Sequence, residues 1–134
     1  MATLPKEVLA LLKDEGSTKI LATVDQSGMP NVTVKGSLSA LDDSTLILAD
    51  VGGEKTRSLR NMQQTKKVAV LVNKGISAYQ VKGTYKGTET SGPVFDKFAE
   101  ALKKAANIAI RGVDLISVEE VYSQNPMDMG KKIA

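Results

Sequence analysis

The hydrophobic period of the chain changes several times, and each change marks an element. Leu4, Val8, Leu11 and Leu12 recur at helical spacing, with Thr3 placed to cap the helix, Pro5 in its first turn and Gly16 at its end. From Lys19 to Asp25 the period drops to two, which predicts a strand, and the Ser-Gly pair before Met29 and Pro30 predicts a turn. Alternation resumes from Asn31 to Leu41. Val32, Val34, Leu38 and Ala40 share one face with Gly36, and Thr33, Lys35, Ser37 and Ser39 share the other, because successive strand residues point to opposite sides. The apolar row is expected to join a core. The hydroxyl row, with its ammonium, is either a solvated outer face or a ligand face.

After a turn at Asp42-Asp43-Ser44, the run from Thr45 to Ala49 predicts a strand buried on both sides, ended by Asp50-Val51-Gly52-Gly53. A short polar helix is expected from about Glu54 to Gln63, with Leu59 and Met62 as its apolar contacts. Lys67 to Asn73 predicts another buried strand. Ser77 to Glu89 predicts a long alternating strand with Tyr79, Val81 and Tyr85 on one face and a bend or bulge at Gly83 and Gly87. Ser91-Gly92-Pro93 reads as a helix start with a capping Ser, before an apolar stripe of Phe95, Phe98 and Leu102 with Ala101 and Ala105. Ile108 to Val121 reads as a last strand, interrupted at Arg111-Gly112. The segment from Tyr122 onward is polar, either an unstructured tail or an arm laid on a partner subunit.

About six strands joined by tight turns, with no long crossover helices, predict a mainly β, six-stranded antiparallel barrel with short flanking helices. The 134 residues suit a single domain spanning 1–134, with about 122–134 as a C-terminal arm.

Composition narrows the chemistry. The chain has no His, Cys or Trp. That excludes disulfides, thiolate nucleophiles, His-based triads and sites ligated by His or Cys, so no metal is expected and any redox chemistry must come from a borrowed cofactor. The formal charge is +3 and the aromatics number five, three Tyr and two Phe. The paired lysines Lys66-Lys67, Lys103-Lys104 and Lys131-Lys132 are scattered, so nucleic acid is not an expected partner. No stretch approaches the ~20 apolar residues of a membrane span. The first ten residues lack a basic segment followed by an apolar run, so no signal peptide is expected and the cytoplasm is the expected compartment.

The motif that best fits ligand chemistry is Gly52-Gly53-Glu54-Lys55-Thr56 at a strand-to-helix junction. Glycines permit close backbone approach, free N–H groups favour an anion, Lys55 adds a charge and Thr56 a hydroxyl. It is not a nucleoside-triphosphate loop, since Leu48 stands where the first Gly belongs and Glu54 separates Gly53 from Lys55. The alternative is a Gly-rich connection whose Lys is simply solvated. The short hairpin at Asp42-Asp43-Ser44 brings Thr33 and Lys35 toward the Lys55-Thr56 turn, an arrangement suited to one phosphate monoester. The adjacent acids Asp14-Glu15, Asp42-Asp43 and Glu119-Glu120 point apart and make no catalytic dyad. Catalytic residues stay unassigned.

The order of these motifs resembles a known family: Gly-x-Pro before a strand, the Asp-Asp turn, Gly-x-Lys-Thr, Arg60-Asn61, KVAVLV, YQVKGTYKGTETSG and a closing SVEEVYSQNP. In that order, from about Leu4 to Ile133, the chain is similar to the pyridoxamine-phosphate-oxidase-like split β-barrels that bind flavin mononucleotide (FMN), particularly the small one-domain members. The resemblance implies a homodimer with FMN at the subunit interface. It places Lys55 and Thr56 at the flavin phosphate, Thr33, Val34, Lys35, Gly36 and Ser37 beneath the ribityl chain and ring, and Ala49 and Asp50 beside them. It brings Tyr122, Pro126 and Met127 toward the partner's flavin. The larger oxidases carry an Arg-Lys pair where this chain has Glu54-Lys55 and an Arg where Thr33 stands, so oxidation of pyridoxamine phosphate itself is not expected. The leading expectation is an FMN-dependent oxidoreductase working with a nicotinamide or another small-molecule reductant, with Lys35 or Lys82 near the N1 edge of the ring. A non-catalytic flavin carrier or store is the alternative, and a small basic barrel for polyanions a third. FMN is the expected flavin, with a deazaflavin the other option.

Overall fold

The computed structural model describes residues 2–134, leaving the side chain of Glu54 outside the description. Helix α1 (Lys6–Lys13) precedes strands β1 (Thr18–Val24), β2 (Pro30–Val34), β3 (Ser39–Asp42) and β4 (Thr45–Asp50). A 3-10 turn (Gly53–Lys55) leads into α2 (Arg57–Thr65), followed by β5 (Lys67–Lys74), β6 (Ser77–Glu89), α3 (Pro93–Ala106) and β7 (Gly112–Ser123).

The sheet has seven strands in the order β2-β1-β5-β6-β7-β4-β3, each pair antiparallel. The expected count of six is one short, because the segment from Asn31 to Leu41 is two strands on opposite edges. The link between them closes the barrel. Lys35 N–H donates to the Lys19 carbonyl on β1 (2.9 Å), and Ser37 Oγ accepts the Ala49 N–H on β4 (3.1 Å), so three residues span both edges. A straight alternating strand cannot turn this corner; Gly36 lies between the two attachments.

Splitting the segment also divides its apolar row. Leu38 is fully buried, whereas Val32 and Val34 are 66% and 69% exposed. The expectation that these valines face the core is therefore corrected: on β2 the polar residues turn inward. Thr33 pairs with Leu21 in a row continued by Val70, Val81 and Val121, all in the core. The valines lie in outer rows, Val32–Ala22–Ala69 and Val34–Ile20–Leu71.

Inside, Leu12, Leu21, Leu38, Leu46, Leu48, Met62 and Ile116 form the centre of the core. Strand β4 is buried along both sides as expected, whereas β5 buries Val68, Val70 and Val72 and leaves Ala69 and Leu71 half-exposed. The ladder shifts register after Lys82 and again between Tyr85 and Gly87, at the two glycines nominated as bulges. Helix α1 begins at Pro5 and α3 at Gly92, both without a side-chain cap, so neither Thr3 nor Ser91 caps. The apolar stripe of α3 covers the sheet only loosely: Phe95, Phe98 and Leu102 are half-buried, Ala101 and Ala105 exposed.

The C-terminal segment is no unstructured tail. Ser123 N–H donates to the Lys131 carbonyl (2.8 Å) and Ile133 N–H to the Val121 carbonyl (2.8 Å), folding the last residues back along β7 of their own chain, with Ile133 and Ala134 against the core. Residues Pro126 to Lys132 are exposed, Met127 at 96%. Among the described residues, no helix is long and apolar enough to cross a membrane.

Candidate functional site

The site forms where β4 ends. Asp50 emerges from an otherwise apolar strand and its carboxylate accepts the Gly53 N–H (2.7 Å). This bond holds the glycine turn, with Gly53 in a left-handed conformation at φ +63°. The Thr56 hydroxyl donates to the Gly53 carbonyl (2.9 Å). The Gly53 N–H and the Thr56 hydroxyl, the latter expected as a donor, are thus both committed within the turn, because a tight 3-10 turn satisfies its own polar groups first. The exposed Lys55 ammonium is the group this turn offers to an anion.

Strand β2 brings its inward side to the same region. Asn31 donates to Ser58 Oγ at the start of α2 (3.4 Å), and Asn61 of α2 donates to Thr23 on β1 (3.1 Å). Lys35 lies close enough to Asp114 on β7 for its charge to act on that carboxyl.

Asp114 is the least expected member of the cluster. It is 2% exposed in the middle of an apolar strand and pairs across the sheet with Leu48 and Thr88. The Thr88 hydroxyl donates to its carboxylate (2.6 Å) and is itself bonded to the Tyr85 hydroxyl (2.5 Å). Burial pushes the Asp114 carboxyl up to about 6, the charge of Asp50 adds to the rise, and the Thr88 bond and Lys35 oppose it. Burial likewise raises the Tyr85 phenol.

The folded chain therefore holds the Asp114 proton more tightly than the unfolded chain. The stabilisation is complete below the ordinary value of 3.8 and is lost as pH rises through about 6. Asp114→Asn, which keeps an acceptor for Thr88 without the buried charge, should gain up to about 3 kcal/mol at pH 8 and little below pH 4. Urea midpoints across that range check it; a pH-independent difference between variant and parent would contradict it.

Two clefts flank the end of β4. One, of about 480 Å³, is lined by Asp50, Gly53, Lys55, Gln63, Thr88 and Arg111 among others. The other, about 720 Å³, lies between α3 and the β2–β3 crossing and takes in Val34, Lys35, Gly36, Ser37 and Ala49, with half-buried Leu102 on its apolar wall. The nine residues nominated from sequence thus divide: Asp50 and Lys55 line the first cleft, five line the second, and Thr33 and Thr56 line neither. Neighbouring Ala49 and Asp50 point to opposite sides of β4, which is why they separate.

Lys82 is on the outer sheet face, its ammonium 4.8 Å from the centre of the Tyr122 ring. Tyr122 in turn donates to Glu120 (2.5 Å), which pairs with Lys132 (3.4 Å). Sequence reasoning missed Arg111, Thr88 and Asp114. The available signals were a basic residue breaking the last strand and a lone acid inside the run GVDLISV.

A seven-stranded antiparallel sheet whose edge strands β2 and β3 are joined by one short crossing, flanked by three short helices, is a split barrel, and the comparisons agree. The family model for pyridoxamine 5'-phosphate oxidase matches residues 4–125, and the chain belongs to that family. Among curated proteins, none matches it. Among solved structures it is similar to HupZ of Group A Streptococcus, with 22% identity, TM-score 0.79, and 98% of this chain and 99% of the other covered. It is similar to an FMN-binding protein of Syntrophomonas wolfei, with 20% identity, TM-score 0.73, and 88% and 86% covered. It is also similar to HutZ, the haem storage protein of Vibrio cholerae, with 12% identity, TM-score 0.65, and 91% and 95% covered.

Proposed function

We propose that the protein binds FMN between two copies of the chain and acts as a flavin-dependent oxidoreductase on a small-molecule or nicotinamide reductant. The observation that carries this reading is the pair of clefts flanking the end of β4, one lined by Lys55 and the other by Lys35, in a member of this family. The flavin supplies the electron chemistry when bound. The chain's own groups hold and orient it: Lys55 at the phosphate, Ser37 and Ala49 at the crossing where the ring lies, and Lys35 as a cation lining the same cleft as Ser37 and Ala49. The second copy covers the outer rows of Val32 and Val34, apolar side chains that one chain leaves in water.

Haem is the other reading, favoured by the likeness to HutZ. The absence of His and Cys from this sequence removes the two most familiar axial ligands and weighs against it. A visible spectrum of protein given FMN or haemin separates the two readings, and a haem spectrum without flavin uptake would overturn the proposal. Lys55→Ala should weaken FMN uptake at least about tenfold, since a charge-assisted contact contributes ~1.5–3 kcal/mol. Fluorescence quenching measures it, and unchanged affinity would remove Lys55 from the site. Stopped-flow mixing with NADH or NADPH distinguishes enzyme from carrier: saturable reduction marks an enzyme, and inertness marks a carrier or store.

A further inference from the structure

The cleft beside the glycine turn contains a cation that the sequence motif does not include. We propose that Arg111 closes a clamp with Lys55 around a phosphate monoester, an inference that rests on the flavin reading above and names a residue that reading left out.

The backbone places Arg111 firmly. Its N–H donates to the Asp50 carbonyl (2.8 Å), one residue before the β4–β7 ladder pairs Asp50 with Gly112. The same Asp50 uses its carboxylate to hold the Gly53 N–H. One residue therefore ties the glycine turn and the Arg111 backbone together, through its side chain and its main chain respectively.

Gly53 completes the arrangement. A Cβ built on it would overlap the Arg111 guanidinium at Nη1, so the space a side chain would fill is the space the guanidinium occupies. The left-handed φ of Gly53 favours glycine at this position, and the lack of a side chain leaves that space to the guanidinium. Lys55 stands two residues further along the same turn, and both cations line one cleft with the hydroxyls of Thr88 and Thr90 and the amide of Gln63. Among the described residues that line the cleft the one acid is Asp50, whose carboxylate already accepts the Gly53 N–H.

The chemistry of the pair suits a phosphate. A guanidinium presents parallel N–H donors that match two oxygens of a phosphate, while the ammonium contributes a point charge. The cleft, about 480 Å³ and open to solvent, accommodates a phosphate with the rest of its carrier outside. The clamp therefore distinguishes a phosphorylated ligand from its alcohol.

The test compares FMN with riboflavin, read by fluorescence quenching on the full chain and its Arg111→Ala and Arg111→Lys variants, with circular dichroism to verify folding. Arg111→Ala should weaken FMN by about tenfold or more and leave riboflavin within about twofold, with Arg111→Lys in between. Equal FMN affinity in parent and Arg111→Ala overturns the clamp and leaves the flavin reading standing. An equal loss for both ligands also overturns it, because the residue then acts away from the phosphate. Should the parent bind neither flavin, the flavin reading fails by itself, and inorganic phosphate becomes the probe. A melting temperature raised by phosphate in the parent but not in Arg111→Ala upholds the clamp; no shift in either overturns it.

Discussion

In the proposed homodimer, changing Val32 and Val34 together to lysine is expected to give a monomer. Both side chains project from an edge strand and are about two-thirds exposed in a single chain. They continue into Ile20, Ala22, Ala69 and Leu71, so the apolar surface is contiguous across three strands. Burying a valine contributes about 1.5–3 kcal/mol, and placing an unpaired ammonium at the same position costs more than that gain. The two changes together should raise the dimer dissociation constant by at least about a thousandfold, taking 1.4 kcal/mol per factor of ten. Sedimentation equilibrium measures this directly. Neither valine is buried within its own chain, so the variant should retain its far-ultraviolet dichroism. A variant that stays dimeric would show that the second copy sits elsewhere.

Gly83→Ala is expected to cost about 3 kcal/mol of stability, large for adding one methyl group. Gly83 sits where the β6–β7 ladder shifts register. A Cβ there would lie 2.6 Å from the Ser117 carbonyl oxygen and 2.6 Å from Ile116 Cγ2. A flexible side-chain tip could rotate away from such a contact. The carbonyl belongs to the neighbouring strand, so relief requires β6 and β7 to part where they form the middle of the sheet. A urea midpoint unchanged from the parent would show that the strands can separate there at no cost.

Several elements were legible because local chemistry decides them. The run from Ser77 to Glu89 alternates, carries two glycines and forms one strand with its register shifts at those glycines. In the run TLILA only Thr45 at its start is polar, and Leu46 to Ala49 are buried on both sides. The segment from Asn31 to Leu41 misled for an equally physical reason. A period of two shows that two faces differ in polarity; it does not show which face meets the core when a second apolar surface awaits a partner. Val32 and Val34 satisfy the alternation from the outside, and Thr33 fills the inner row beside Leu21.

Of the residues that line the two clefts, Lys55 and Lys35 stand out in the linear chain through glycine spacing and charge. Arg111, which lines the first cleft, and Asp114, bonded to Thr88 on its wall, do not stand out, lying 56 residues after Lys55 and 64 after Asp50 respectively. Long-range pairing of β7 with β4 brings them in, and no periodicity encodes which strands become neighbours. The order of residues by itself determined the strands, the glycine turn and a chemistry without imidazole or thiol, because backbone preference and side-chain type are properties of each position. Only the tertiary structure decided that one strand would break to join two sheet edges, that its valines would face outward, and that a distant arginine would line the cleft beside the turn, with a buried acid bonded to Thr88 on its wall. Those outcomes follow from closing the barrel, which no local segment can specify.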